Sequence, residues 1–171
     1  MDHHWETTDM TGILPPIIIA RRDHARLERL AANAMRERHP VSRFLISEIR
    51  RAVVCDAYRM PRDVARLNEW VTYRIDGNKQ TESKILVCPE EFRSAEINLS
   101  VLSPLGAAVL GMRVGNCMKF LSADGGLHFV IIESVVAPAG APLLFPLKAR
   151  RAIIEVSTEP GGPDDEGPRA A

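Results

Sequence analysis

Leu99–Asn116 reads LSVLSPLGAAVLGMRVGN, and the order of residue types in it decides the fold. Leu99 and Val101 begin a short strand, which the Ser103-Pro104 pair ends. A small-residue apolar helix follows, from about Leu105 to Leu110, and Gly111 and Gly115 bracket a turn into the next strand. Proline in the first helical turn sacrifices no hydrogen bond, because its amide would have no intrahelical partner there. Glycine just past the end adopts the left-handed conformation that closes a helix. The pattern places Leu105, Ala108, Val109 and Leu110 under a sheet, with Ala107 and Ala108 small so that the helix can approach the strands closely.

Working outward, the flanking segments carry the two-residue period of strands. Trp70–Asp76 (WVTYRID) alternates and ends in Asp76-Gly77-Asn78, a hairpin-turn signal. Ile85 with Val87, Met118 with Phe120, and Phe129 to Val136 supply further strands, and Asp124-Gly125-Gly126 marks a second tight hairpin. Pro89-Glu90-Glu91-Phe92 reads as a turn or a single helical turn between strands. These elements predict an antiparallel sheet holding one short helix.

Before residue 53 the period changes. Pro16–Ala20 (PIIIA) is short and β-branched, a strand for a sheet edge. Leu27, Leu30, Ala31 and Ala34 recur on one face of a helix, for which Asp23 is the expected N-cap. Pro40 stops that helix, since a residue before proline is pushed out of the α region. Val41, Phe44, Leu45, Ile49 and Ala52 define a second helix. Two helices so closely joined form a short antiparallel hairpin with its tip at Arg36-Glu37-Arg38-His39. The chain is thus α+β, with helices first and strands later.

The 171 residues suit one domain, or a small one with an appendage, and 46% apolar content is enough for a core. Basic and acidic residues balance at 22 each, but residues 21–51 hold nine arginines against four acids. The helices are therefore the positive part of the molecule. Cys55, Cys88 and Cys117 lack ligand spacing, and His3 and His4 sit in a polar leader, so neither a zinc site, another metal nor a disulfide framework is indicated. Ile13–Ala20 contains two prolines and is too short to span a bilayer, and no signal peptide precedes it, which implies a cytoplasmic protein. Walker A, GxGxxG, HExxH and GxSxG strings are absent, and Ser103 has no evident histidine partner. No cofactor is implied. Four segments follow: a leader (1–15), a strand with the helical hairpin (16–52), a sheet domain (53–140), and an extension with an acidic tail (141–171). The extension carries a basic knot, Lys148, Arg150 and Arg151, read as a solvated face on a strand or a docked helix.

The order PIIIARRDHARLERLA, SEIRRAVV, MPRDVARLNEWVTYRI, LVCPEE, LSVLSPLGAAVLGMRVGN and DGG resembles the Rnk family, the regulators of nucleoside diphosphate kinase. That family shares its C-terminal domain with the transcript-cleavage factors GreA and GreB. The resemblance covers residues 16–140. Two departures stand out: Asn68-Glu69-Trp70 lies where the family has a small Asn-Ser pair, and Asn116 replaces an aspartate.

The resemblance implies a helical hairpin beside an FKBP-like domain that binds RNA polymerase, through its β and β′ subunits, near the secondary channel. The expected contacts are Ser103, Pro104, Leu105 and Gly106 with the neighbouring acids Glu90 and Glu91. Gre factors stimulate cleavage by bringing carboxylates on a long coiled-coil tip to the polymerase's second metal. Here the tip has one acid, Glu37, among Arg36, Arg38 and Arg43, and a sixteen-residue helix extends only about 24 Å. Oxygen-seeking Mg²⁺ finds a poor donor there. The expectation is a monomeric, non-enzymatic transcription regulator that competes with Gre factors. The alternatives are control of a nucleotide-metabolising enzyme, nucleic-acid contact through the basic hairpin, and prolyl isomerisation by fold analogy.

Overall fold

The computed structural model of the chain describes residues 14–137. The expectations for His3 and His4, for most of the leader, and for the extension and tail from residue 138 lie outside the described residues.

Strand β1 (Ile18–Ala20) runs directly into helix α1 (Arg21–Arg36). Residues 37–41 turn the chain into helix α2 (Ser42–Arg51), which is followed at once by strand β2 (Val53–Cys55). β1 and β2 pair in parallel, Ile18 opposite Val53 and Ala20 opposite Cys55. The helical spacing holds: Leu27, Ala31 and Ala34 are buried on α1, and Leu45 and Ile49 on α2. Asp23 does not cap α1. The chain enters the helix straight from β1, so buried Ala20 occupies the N-cap and Asp23 falls within the first turn, where its charge still favours the helix dipole.

The larger sheet has the order β5-β4-β3-β7-β6, built from β3 (Trp70–Ile75), β4 (Glu82–Val87), β5 (Asn98–Ser100), β6 (Cys117–Leu121) and β7 (Leu127–Val136). Alternation sorts its faces. Val71 and Tyr73 of β3, and Met118 and Phe120 of β6, are buried while their neighbours are not. The pairings β3–β4 and β6–β7 are antiparallel, as the turn signals require, and β3–β7 is antiparallel as well. The pairing β4–β5 is parallel, Ile85 opposite Asn98 and Val87 opposite Ser100, so the sheet is not antiparallel throughout. The chain crosses from the end of β4 to the start of β5 through residues 88–97. Buried Asn98 organises this crossover, its Oδ1 accepting from the backbone N–H of Arg93 at 2.8 Å and of Ser94 at 3.3 Å.

Helix α3 (Pro104–Val109) packs against this sheet. Ala107, Ala108 and Val109 are fully buried and Leu110 is 2% exposed. Leu105, expected with them, is only half-buried because it stands in the first turn at the surface. Helices and sheet do not bury separate cores. Ile17, Leu27 and Leu45 share one cluster with Leu86, Val101, Ala107, Met118 and Ile132. The seam is made by backbone as well: the Ile18 N–H donates to the Gly111 carbonyl at 2.9 Å. Gly111 has φ +74°, and a Cβ there would stand 2.8 Å from the Ile18 carbonyl oxygen. Glycine is thus required both for the close of α3 and for the approach of β1.

Candidate docking site

Because β4 and β5 are parallel, their C-terminal ends lie side by side, joined beyond the ladder by the Val101 N–H donating to the Val87 carbonyl at 2.9 Å. From the first end leads the Pro89–Glu91 3-10 turn. From the second leads Ser103-Pro104 and helix α3. Glu90 and Glu91 are therefore brought to the same end of the sheet as Ser103–Gly106, although they are separated from them along the chain.

The Ser103-Pro104 corner is rigid. Ser103 Oγ accepts from the Gly106 N–H at 2.9 Å and donates to the Ser100 carbonyl at 2.7 Å, while Pro104 occupies the first helical position. These two bonds commit the hydroxyl to capping the helix. Ser103, Pro104 and Leu105 are half-buried, and Gly106 is buried. A Cβ on Gly106 would fall 1.9 Å from the Ser100 carbonyl oxygen, so this glycine lets α3 start against β5 rather than offering a surface. The accessible part of the corner is Ser103, Pro104 and Leu105.

The acidic turn is clamped from α1. Arg26 Nη2 stands 2.8 Å from Glu90 Oε1 and 3.2 Å from Glu91 Oε1. The guanidinium hydrogen bond, helped by Glu90's own backbone N–H, holds the Glu90 carboxyl below the usual carboxylate range. The same contact raises the Arg26 pKa above its already high value. Glu91 Oε2 is buried without a hydrogen-bond partner among the described residues. Behind the turn, burial pushes the Cys88 thiol up to about 11. An uncharged thiol at neutral pH is a poor nucleophile and a poor metal ligand. Arg26 carried no local signal, since its partners lie more than sixty residues away.

The hairpin tip stands well away from this corner. Arg36 is ten residues beyond Arg26, about 15 Å along the α1 axis. The tip backbone is pinned, with the His39 N–H donating to the Ala34 carbonyl at 2.8 Å and Ser42 Oγ donating to the His39 carbonyl at 2.7 Å. Arg36, Glu37 and Arg38 are exposed, and His39 is half-buried. The expected contact residues and the tip are two surfaces rather than one.

The aromatic residues do not gather round a cleft. Tyr73 and Phe120 are buried in the core at 1% and 7% exposure, whereas Tyr58 is 79% exposed on a separate 3-10 turn, Ala57–Arg59. Two concavities beside α1, one lined by Leu27, Ala65 and Leu110 and the other by Arg26, Arg29 and Glu90, have no aromatic wall. Among the described residues no group of three His, Cys, Asp or Glu side chains is placed to hold a metal ion. No helix among them is long and apolar enough to cross a membrane.

Comparison with known proteins agrees with this architecture. Residues 60–135 match the family model of the transcription elongation factor GreA/GreB C-terminal domain, and residues 15–54 match that of the Rnk N-terminus. The regulator of nucleoside diphosphate kinase of Escherichia coli K12 is 32% identical over 129 residues, spanning 74% of this chain and 94% of that protein. The elongation factor GreA of Roseiflexus castenholzii is 30% identical over 87 residues, 51% of this chain and 55% of that one. A solved GreA/GreB elongation factor from Nitrosomonas europaea superposes with a TM-score of 0.58 at 29% identity, covering 70% of this chain and 98% of the other. With both halves matched in order and nearly the full length of the Escherichia coli protein covered, the chain belongs to the Rnk family, the regulators of nucleoside diphosphate kinase that share the GreA/GreB C-terminal domain.

Proposed function

We propose that this protein is a non-enzymatic, cytoplasmic regulator that binds RNA polymerase as a monomer near its secondary channel and does not stimulate transcript cleavage. The observation that carries the reading is the meeting of the acidic Pro89–Glu91 turn with the Ser103-Pro104 corner at the paired ends of β4 and β5. A surface made by two braced turns needs little ordering on binding, so more of the contact energy appears as affinity. Residues 53–140, an FKBP-like unit in this reading, dock on the β and β′ subunits. The hairpin of α1 and α2 caps or partly enters the channel, bringing an arginine-rich tip where a cleavage factor brings carboxylates.

Capture of purified core RNA polymerase by the tagged protein tests this. Retention of β and β′, weakened by Glu90→Lys with Glu91→Lys and by Pro104→Ala with Leu105→Ala, supports the reading. Failure to retain the enzyme at micromolar concentration excludes it. A second reading, action on a nucleoside diphosphate kinase, rests on the name borne by the Escherichia coli relative. A change in purified kinase activity on adding this protein alone, with no polymerase capture, would favour it.

A further inference from the structure

Nine arginines lie between residues 21 and 51, and the structure divides them. Arg21 pairs with Asp56, Arg22 with Asp23, Arg26 with Glu90 and Glu91, and Arg51 with Glu48. Arg29, Arg36, Arg38, Arg43 and Arg50 are exposed and make no ion pair among the described residues.

Their placement follows from helix geometry. Residues seven apart are about 20° short of two full turns, so Arg22, Arg29 and Arg36 form one line along α1, about 10.5 Å between neighbours. That line runs along the side opposite buried Leu27, Ala31 and Ala34. Beside it stand exposed Ala25, Ala32 and Asn33; the Asn33 Oδ1 accepts from the Arg36 guanidinium but, being uncharged, leaves its positive charge uncancelled. Arg43 and Arg50 repeat the seven-residue spacing on α2, again on the side away from buried Leu45, Glu48 and Ile49. Arg36, Arg38 and Arg43 meet at the turn between the helices, where Glu37 is the one acid.

We propose that this arginine ridge, Arg29, Arg36, Arg38 and Arg43 with Arg22 and Arg50 at its ends, binds the phosphate backbone of nucleic acid. Charge alone would admit an acidic protein surface as well. Stable protein interfaces, however, are anchored by buried aromatic or large apolar side chains inside a polar rim. The ridge on α1 offers only Arg, Ala and Asn. A phosphate backbone asks for no apolar anchor, being bound by cations through counterion release, and the planar guanidinium fork matches phosphate oxygens better than an ammonium does. Without an exposed aromatic to stack on bases, the ridge should bind without regard to sequence.

The experiment uses the full chain with a fluorescein-labelled 20-nucleotide single strand of mixed sequence, read by anisotropy between 25 and 200 mM salt, with no polymerase present. It therefore succeeds or fails independently of polymerase docking. Arg29→Gln, Arg36→Gln and Arg43→Gln together should weaken binding roughly tenfold or more at low salt and flatten the log–log salt slope by about 2, at about 0.7 per lost phosphate contact. The three sites lie outside the core, so the melting temperature should not move, which separates lost contacts from lost structure. Arg113→Gln, at a guanidinium already held by Asp63 at 2.9 Å, should leave the slope unchanged. Absence of binding at 25 mM salt, an unaltered slope in the triple variant, or equal weakening by Arg113→Gln would overturn the proposal. Poly-glutamate of equal charge bound as tightly as the oligonucleotide would overturn the assignment to phosphate.

Discussion

Arg26 and Glu90 stand 64 residues apart in the chain and 2.8 Å apart in space, tying the outer flank of α1 to the turn that ends β4. The contact joins the helical part to the sheet at the corner assigned to polymerase docking. It also neutralises, within the chain, part of the charge that corner would show a partner.

Replacing Arg26 by alanine should cost little stability. The Arg26 and Glu90 side chains are 34% and 57% exposed, and pairs so well solvated contribute up to about 1 kcal/mol. The pH dependence has a definite sign. Arg26 lowers the folded-state pKa of Glu90, so its stabilisation is complete above the unfolded carboxylate pKa and is lost as pH falls through the folded value. Urea denaturation should therefore separate wild type from Arg26→Ala at pH 7 and bring them together once pH has fallen below the depressed folded-state value of Glu90. A gap that persists at low pH would mean that packing of the arginine stem, not charge, supplies the effect.

The glycine and leucine of the 99–116 segment should fail in different ways. In Gly106→Ala a methyl must find room 1.9 Å from the Ser100 carbonyl oxygen, so α3 has to shift at its start. Overpacking of this kind costs about 1–3 kcal/mol. Leu110→Ala instead opens a cavity at a site 2% exposed, for about 2–5 kcal/mol. Thermal melts of both read the losses. A small hydrophobic ligand should restore part of the second and none of the first, and equal rescue would discredit the distinction.

That segment was legible because its signals are local. Ser103 caps, Pro104 starts the helix and Gly111 at φ +74° closes it, each within one turn of what it controls. The period-2 strands and period-3.6 helices were legible for the same reason. Strand direction was not: the parallel pairings β1–β2 and β4–β5 depend on how α1, α2 and residues 88–97 cross over, which no short window encodes. Asp23 misled because capping residues mark a helix preceded by a loop, and here β1 abuts α1. Of the expected contact residues, Glu90 and Glu91 follow from the family resemblance, but their arginine clamp, more than sixty residues away in the chain, does not. Gly106 is an expected contact that proves buried, because β5 lies close behind it and no local signal encodes that approach.

The β3–β7 end offers a second electrostatic test. Asp76 Oδ2 lies 2.6 Å from His128 Nδ1, and its Oδ1 accepts from the Phe129 N–H at 2.8 Å. The histidine bond first and the backbone bond second hold the Asp76 carboxyl below its usual range. Its contribution is therefore present above the unfolded carboxylate pKa and disappears as pH drops through the depressed folded value. Asp76→Ala should lower the melting temperature at pH 7 and leave it unchanged once pH lies below the depressed folded-state value of Asp76. Asp76→Asn should retain part of the Phe129 bond and sit between the two. A pH-independent loss in Asp76→Ala would place the effect in the left-handed backbone at φ +51° instead of the charge.

On a stalled elongation complex the protein should bind without stimulating RNA cleavage, and at high concentration it should inhibit a Gre factor acting at the same channel. Cleavage requires carboxylates delivered to a metal ion, because a hard divalent cation is held by oxygen donors. The tip here exposes Arg36, Glu37 and Arg38 on a helix of 16 residues, which puts three nearby guanidinium groups, Arg43 included, around one acid. Two proteins competing for one site displace each other by mass action, so inhibition should fade as the Gre factor is raised. Inhibition that does not fade would place this protein elsewhere on the enzyme. Arg36→Asp with Arg38→Asp should not create cleavage activity, because a helix about 24 Å long still lacks the reach. Single-nucleotide mapping of the transcript's 3′ end reads both outcomes, and robust cleavage by the unmodified protein would refute the role assigned to the cationic tip.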